Sequence, residues 1–451
     1  MRSFDVVVVG AGPAGEVAAG RLAEKGLKVA IVEDRLVGGE CSFWACMPSK
    51  ALLRPYEALA EVKRIPGAAD AVTGELDVAA VLARRDEIIH DLDDDAQLPW
   101  LADRAIELFR GHGRLSGERR VIVDDEEIHA RRAVFLAPGS APAMPPIPGL
   151  QEFDCAWTNR DATITHEIPE HLVVLGGGVV GVELSQAFQT LGSQVTLIEG
   201  ARRLIPNEEE FACIQLTEAL REYGVDLRTA QKAERVEQNS DGTVTVTTTD
   251  GGEAIADKVL VALGRTPLTK DLGLEHVGLT PGETIHVDAH NRVPGHDWLY
   301  AIGDVNGKAL FTHMGKYQAR ISADHLLGHD HVIAHGADGK LSPRVIFTEP
   351  QVAAVGHTEE SAKEAGLEIE IVETETSGNA GGSYYGRNAP GTTRWIVDRE
   401  RRIVVGCTIT GAEVADFLHA ATIAIVGEVP VERLRHAVPS FPTRSEIWLK
   451  L

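Results

Sequence analysis

One pattern constrains this chain more than any other: strand, glycine-rich turn, helix, second strand, acid. It occurs twice. In "FDVVVVGAGPAGEVAAGRLAEKGLKVAIVE" a continuous β-branched run meets a turn at Gly10, Gly12 and Gly15, helical spacing follows through Val17, Leu22 and Ala23, and a second strand closes at Glu33. The glycines permit a tight turn and close backbone approach, the helix N-terminus offers free N–H groups to a pyrophosphate, and the acid accepts from ribose hydroxyls. About 165 residues further on, "HLVVLGGGVVGVELSQAFQTLGSQVTLIE" repeats the unit with Gly176, Gly178, Gly181 and Glu199. In both copies the acid lies 18 residues past the last glycine. Two such cradles predict an α/β protein with two Rossmann-like dinucleotide-binding domains, one dinucleotide tightly held and the other exchanging; FAD with NAD is the natural pairing. Glu199 favours NAD over NADP because a carboxylate repels a 2′-phosphate, a preference tempered by Arg202 and Arg203 just behind it.

Composition narrows the class. A chain of 451 residues has room for roughly three domains. Its net charge of −23 argues against nucleic acid or anionic membranes as partners, since phosphates would be repelled. Five scattered cysteines (41, 46, 155, 213 and 407) do not make a secreted disulfide framework. The N-terminus opens directly into the first strand without a secretory pattern, and no apolar run approaches the ~20 residues of a membrane helix. The expectation is a cytoplasmic protein with no metal site.

The stretch "GGECSFWACMPSK" sets Cys41 and Cys46 five residues apart. On a regular helix that spacing separates the Cα atoms by about 8.6 Å, whereas a disulfide needs less than about 7 Å. A bridge therefore requires a departure from helix between them, for which Gly38, Gly39 and Pro48 provide the means. The spacing fits poorly with short zinc loops, and by itself leaves open a redox couple or two unrelated core thiols.

Further motifs carry a resemblance. "GGECSFWACMPSKALL", "LAPGSAPAMPPIPGL" (136–150), "VALGRTP" (261–267), "LYAIGDVNG" (299–307) and "VIFTEPQVAAVGHTE" (345–359) resemble the FAD-dependent pyridine nucleotide disulfide oxidoreductases of class I, in that family's order along nearly the whole chain. The dihydrolipoamide dehydrogenase and mercuric reductase branches are the most similar. The resemblance implies an FAD-binding domain over 1–148 and again over 269–335, an NAD-binding domain over 149–268, and a C-terminal α+β dimerisation domain over 336–451. The Pro-rich "APAMPPIPGL" and the polar "LLGHDHVIAHGADGKLSP" read as linkers, and alternating apolar runs with a helix around 413–426 give the tail its α+β character.

By the same resemblance, Cys41 and Cys46 form a redox-active disulfide against the flavin, with Cys46 nearer the ring and Cys41 exchanging with substrate. Lys50 approaches the flavin with Glu183 as its ion-pair partner, Asp304 binds the ribityl chain, Gly113 meets the adenine, Gly264 contacts the nicotinamide side and His313 stands at the flavin edge. A lone histidine is more often an ordinary core residue. Glu446 belongs to "FPTRSE", where lipoamide-type members carry H-P-T-x-S-E, with the histidine acting across a dimer as proton acceptor; here that position is Phe441, and a phenyl ring accepts no proton. His436 lies too far upstream on an extended segment to replace it. Mercuric reductases carry an extra C-terminal cysteine pair, whereas the last cysteine here is Cys407. Phe43 and Trp44 between the cysteines, and Pro138 in "LAPGS", also depart from the family. The resulting expectation is a homodimeric oxidoreductase passing electrons between NADH, FAD, the Cys41–Cys46 disulfide and a small or protein-bound disulfide or dithiol. Its alternatives are an NADH:acceptor reductase using quinone, oxygen or a metal ion, and a redox-sensing flavoprotein.

Overall fold

A computed structural model describes residues 2–329, 339–386, 389 and 391–451. The chain divides into two compact units, each assembled from three segments. Half of the polar linker expected at 326–343, and the boundary expected at residue 335, lie outside the described residues.

The first unit comprises Met1–Pro48, Asp86–Pro142 and Arg265–Gly339. Its centre is a parallel sheet in which β1 (Arg2–Val9) lies between β2 (Val29–Glu33) and the long strand Glu126–Leu136, with Val6 opposite Val29 and Ala133. The long strand does two jobs. Its first half carries an antiparallel meander through Arg120–Val123 and Gly113–Gly117, and its second half pairs in parallel with Leu299–Ala301. Val6 and Val8 face one apolar layer with Val29 and Ile31, while Val7 and Val9 face the other with Ala30 and Val32. A strand covered on both sides cannot alternate, which is why "VVVV" is continuous. Helix α1 (Pro13–Ala23) and the helix Thr312–Leu326 pack together on the Val6 side, contributing Ala18, Leu22, Ala319 and Ala323.

The second unit comprises Ser49–Arg85, Ala143–Gly264 and Lys340–Leu451. It holds the second parallel sheet (Asp226–Thr229, Gln194–Glu199, His171–Leu175, Lys258–Val261, Ala156–Trp157) and a three-stranded antiparallel sheet. A five-stranded antiparallel sheet in the C-terminal segment pairs Gln351–Gly356 with Ile403–Gly411 and is backed by the helix His419–Val426. Residues 49–85, expected within the first FAD segment, cluster here because Leu52, Leu53, Val81 and Leu82 share a core with Ala187 and Leu191.

Candidate active site

Each cradle is built by three glycines with three different tasks. Gly10 (φ +101°) and Gly176 (φ +107°) make the turn; a Cβ at either would stand 2.2 or 2.5 Å from the carbonyl oxygen of Ala137 or Ala262. At Gly15 and Gly181 a Cβ would come within 1.9 and 1.8 Å of the Gly10 and Gly176 carbonyl oxygens, so these glycines let the helix press onto the turn. At Gly12 and Gly178, by contrast, a Cβ would meet nothing within 4 Å. That open space lies at the N-terminus of the helices Pro13–Ala23 and Val179–Thr190, where unpaired N–H groups attract a pyrophosphate, and it fits two dinucleotides.

The acids repeat as well. Glu33 accepts from Ala11 N (2.7 Å) and Arg35 N (2.9 Å); Glu199 accepts from Gly177 N and, at 2.6 Å, from Ala201 N. Both carboxylates thus brace the turn, a role that spacing alone does not reveal. Burial pushes the Glu33 carboxyl up to about 7, against the pull of its two N–H donors, and neighbouring Asp34 adds to the rise. Gly113 is buried beneath β1 and β2, with space for a Cβ closed by Val32 and Val9 at 2.9 and 3.1 Å.

The cysteine segment is fastened to the first cradle. Gly38 (φ +112°) donates its N–H to Ala11 O at 2.8 Å, and Gly39 (φ +63°) lies against Gly12, where a Cβ would stand 2.7 Å from the Gly12 Cα. Cys41 sits in the short helix α2 (Gly39–Phe43), and Cys46 is the first residue of α3 (Cys46–Arg64). Between them Trp44 leaves helical geometry (φ −134°, ψ 0°), which supplies the irregularity that a bridge needs. Pro48 is not part of that break: it lies in the first turn of α3, where its missing N–H leaves no bond unmade. The two thiols are hydrogen-bonded to each other, and this bond together with burial pushes Cys41 up. Thr312 and the Lys316 ammonium pull it down, and Cys46 Sγ lies 3.5 Å from Thr312 Oγ1.

One turn along α3, Lys50 Nζ donates to Glu183 Oε2 at 2.7 Å and lies 4.9 Å from the centre of the Phe347 ring. Glu183 is buried on the helix of the second cradle and accepts the Phe347 N–H on its other oxygen at 2.8 Å. A buried carboxylate needs such partners. Asp304, in the turn Gly303–Asn306, accepts from Ser140 Oγ at 2.5 Å, and Arg265 donates to the same hydroxyl at 2.7 Å while facing Glu40 at 3.5 Å. Gly264 (φ +124°) has open space where a Cβ would be, and His313 stacks on Phe311 at 5.4 Å. In the C-terminal segment Phe441 is 76% exposed, and Glu446 keeps one buried oxygen without a hydrogen-bond partner among the described residues.

Ser140, Arg265, Glu40, Thr312 and Phe347 were not legible as site residues. All but Thr312 lie within motifs of the family, Glu40 in "GGECSFWACMPSK", Ser140 in "LAPGS", Arg265 in "VALGRTP" and Phe347 in "VIFTEPQ", but their partners come from elsewhere in the chain.

Residues 4–323 match the pyridine nucleotide-disulphide oxidoreductase family, and 342–451 match that family's dimerisation domain. The chain is 33% identical to a dihydrolipoyl dehydrogenase of Thermus scotoductus over 99% of its length and 96% of that protein. It is 30% identical to a mercuric reductase of Staphylococcus aureus, covering 98% of this chain and 81% of the relative. Among solved structures, the Cu(II) complex of the HOCl-induced flavoprotein disulfide reductase RclA from Escherichia coli superposes with a TM-score of 0.86 at 26% identity, covering 100% of this chain and 99% of the other. Members of the family are oxidoreductases that use FAD and NAD(P)H, and the α/β architecture with its C-terminal dimerisation domain is theirs. No described helix is long and apolar enough to cross a membrane. With two braced dinucleotide cradles and a thiol pair fastened to the first, the chain belongs to the pyridine nucleotide-disulphide oxidoreductase family.

Proposed function

We propose that the protein is a homodimeric, NADH-dependent disulfide oxidoreductase that moves electrons between NADH, FAD, a Cys41–Cys46 disulfide and a small or protein-bound disulfide, or runs in reverse from a dithiol. The observation that carries this reading is the meeting of the Cys41 and Cys46 thiols at the break between α2 and α3, on a segment fastened to the first cradle. FAD, when bound, supplies the redox step that connects the nicotinamide to the thiols. Gly12 and Glu33 are the residues to hold it, with Asp304; Gly178 and Glu199 are those to hold NAD.

The chain's own residues divide the remaining work. Cys46, at the N-terminus of α3, has the helix dipole and Thr312 to stabilise its thiolate. Cys41 is the exchanging thiol. Lys50, ion-paired with Glu183, places a cation where negative charge develops on reduction. A second copy is supported by the dimerisation-domain match and by exposed Val438 (82%), Phe441 (76%) and Ile423 (58%). The scattered placement of the other three cysteines, Cys155, Cys213 and Cys407, supports a reducing cytoplasmic setting.

Replacing Cys41 by Ser is expected to end NADH-driven reduction of small disulfides and to give a thiolate-to-flavin absorbance band before NADH is added, a band that NADH bleaches as it reduces the flavin. Retained disulfide turnover would sink the relay. Phe441 favours a second reading, in which quinone, oxygen or a metal ion takes electrons directly, since such acceptors need no proton acceptor at that position. A panel of lipoamide, small disulfides, quinones and metal ions with NADH separates the two.

A further inference from the structure

We infer that the second cradle takes NADPH as well as NADH, with the 2′-phosphate of NADPH held between Arg202 and Lys232. The inference rests on the second cradle, and not the first, receiving the nicotinamide dinucleotide.

In both cradles the segment behind the acid is tied at its two ends to one residue of the glycine turn. In the first, Ala11 N–H donates to Glu33 Oε2 at 2.7 Å, and Ala11 O accepts from Gly38 N at 2.8 Å. In the second, Gly177 N–H donates to Glu199 Oε2, and Gly177 O accepts from Ile205 N at 2.8 Å. This closure holds buried Ile205 at φ +41°, a region that disfavours a β-branched residue, where the first cradle has Gly38 at +112°. Such strain persists only where the surroundings impose it, and it gathers at ligand-binding turns. A flanking segment is matched as well. Gln231 N donates to Glu199 O at 3.0 Å and Ala230 N to Ala201 O at 2.7 Å, as Gly111 N donates to Glu33 O at 3.0 Å. Residue 232 therefore stands beside the second loop as residue 112 stands beside the first.

At these matched positions the charges differ. Behind Glu33 come Asp34 and Arg35, and His112 on the flanking segment stands between two acids, 3.8 Å from Asp34 and 3.4 Å from Asp271. Carboxylates there suit the bare adenosine ribose of FAD. Behind Glu199 come Gly200, Ala201, Arg202 and Arg203, with no acid before Glu208. The flanking residue is Lys232, whose stem crosses Gly200: a Cβ there would lie 3.0 Å from Lys232 Cε and 3.2 Å from its Cγ, so the missing side chain leaves that path open. Arg203 turns back on its own loop, with Nη2 donating to Pro206 O at 3.3 Å and lying 4.0 Å from Glu360. Arg202 and Lys232 are exposed, and neither side chain makes a hydrogen bond or ion pair among the described residues.

In a chain of net charge −23, two unpaired cations at the ribose end of an open dinucleotide cradle are available to an anion. A 2′-phosphate is such an anion, with about two negative charges at neutral pH and three acceptor oxygens. An acid at the end of the second strand favours NAD, and a nearby cation accommodates the 2′-phosphate of NADP; this loop has both. Glu199 accepts a backbone N–H on each oxygen, from Gly177 and from Ala201, which offsets its charge and directs it into the turn. Arg202 and Lys232 face the ribose end from either side of Gly200. The preference for NAD that Glu199 announces in the sequence is thereby levelled: NADH keeps the carboxylate, and NADPH gains two cations.

The test compares adenosine 2′,5′-bisphosphate with 5′-AMP, each titrated calorimetrically into the FAD-loaded protein, so that the first cradle is filled and no turnover enters the measurement. The bisphosphate is expected to bind about 10-fold more tightly, and its advantage to narrow as salt rises. Arg202→Ala and Lys232→Ala should each remove part of that advantage, and together should bring the two Kd values within about twofold of each other. Arg202→Lys should keep most of it. Gly200→Asp, which copies Asp34 of the first cradle and pushes Lys232 aside, should make 5′-AMP the tighter ligand. Equal binding of the two nucleotides to the parent, or an advantage that survives the double substitution, overturns the phosphate assignment. Gly178→Ala probes the cradle itself and should weaken both nucleotides; if neither binding moves, the placement of the nicotinamide dinucleotide in the second cradle falls instead.

Discussion

Gly10, Gly12, Gly15 and Glu33 in one cradle make the same contacts as Gly176, Gly178, Gly181 and Glu199 in the other, yet their surroundings differ. Over the first, the chain builds a cover: Gly38 is hydrogen-bonded to Ala11, Gly39 lies on Gly12, and the helix Thr312–Leu326 closes on Ala14. At the second, Val179 and Val180 directly after the open glycine are 40% and 37% exposed. Charge diverges as well. Glu33 is buried beside Asp34 and within reach of Glu16, whereas Glu199 is followed by Arg202 and Arg203, with the aliphatic stem of Lys232 packed over Gly200. One turn geometry is thus hemmed in by its own chain in the first cradle and left open in the second.

Three changes would break or sharpen that comparison. The largest effect is expected at the third glycines. Gly15→Ala and Gly181→Ala each drive a methyl into a carbonyl oxygen at under 2 Å, and each should destabilise the fold by about 1–3 kcal/mol in urea denaturation. A cost at one site only would end the equivalence of the two turns. Next come the middle glycines, whose backbone accommodates alanine without strain (φ −72° at Gly12, −77° at Gly178). Both variants should fold within about 0.5 kcal/mol of the parent. Gly12→Ala should be purified with little flavin absorbance at 450 nm, while Gly178→Ala should keep its flavin and raise the KM for NADH about 10-fold, or about 1.4 kcal/mol. The smallest effect concerns pH. The folded Glu33 carboxyl, at about 7, lies above its unfolded value near 4.3. The folded state therefore binds the proton more tightly, and stability rises as pH falls through 7 toward that lower value. Between pH 7.5 and 5.5 the gain is on the order of 1–2 kcal/mol, and denaturant melts of Glu33→Gln should show a correspondingly flatter slope. An unchanged slope would remove the buried acid as a distinguishing property of the first cradle.

The features legible in the sequence were those written in a single local run. Glycine spacing, a β-branched strand and an acid at fixed distance announced each cradle, because all of these lie within about thirty residues and each restricts the backbone directly. The cysteine pair was half legible: the spacing demanded a break but not its position, which falls at Trp44 instead of at the proline. Ser140, Arg265 and Glu40 converge near Asp304 from four separate stretches, and Thr312 reaches Cys46 from 266 residues away. Such meetings follow from sheet order, which no periodicity encodes.

The break between α2 and α3 has a consequence for how such a protein can diversify. Cys41 is anchored from the front by Gly39 on Gly12, and Cys46 from behind by Thr312. Of the four residues between, Phe43 is buried, while Ser42, Trp44 and Ala45 are partly exposed and form an exchangeable cassette between two fixed points. Mutation there can remodel the ground that an incoming acceptor meets while each sulfur keeps its mooring, so new substrates can be tried without first surrendering the chemistry.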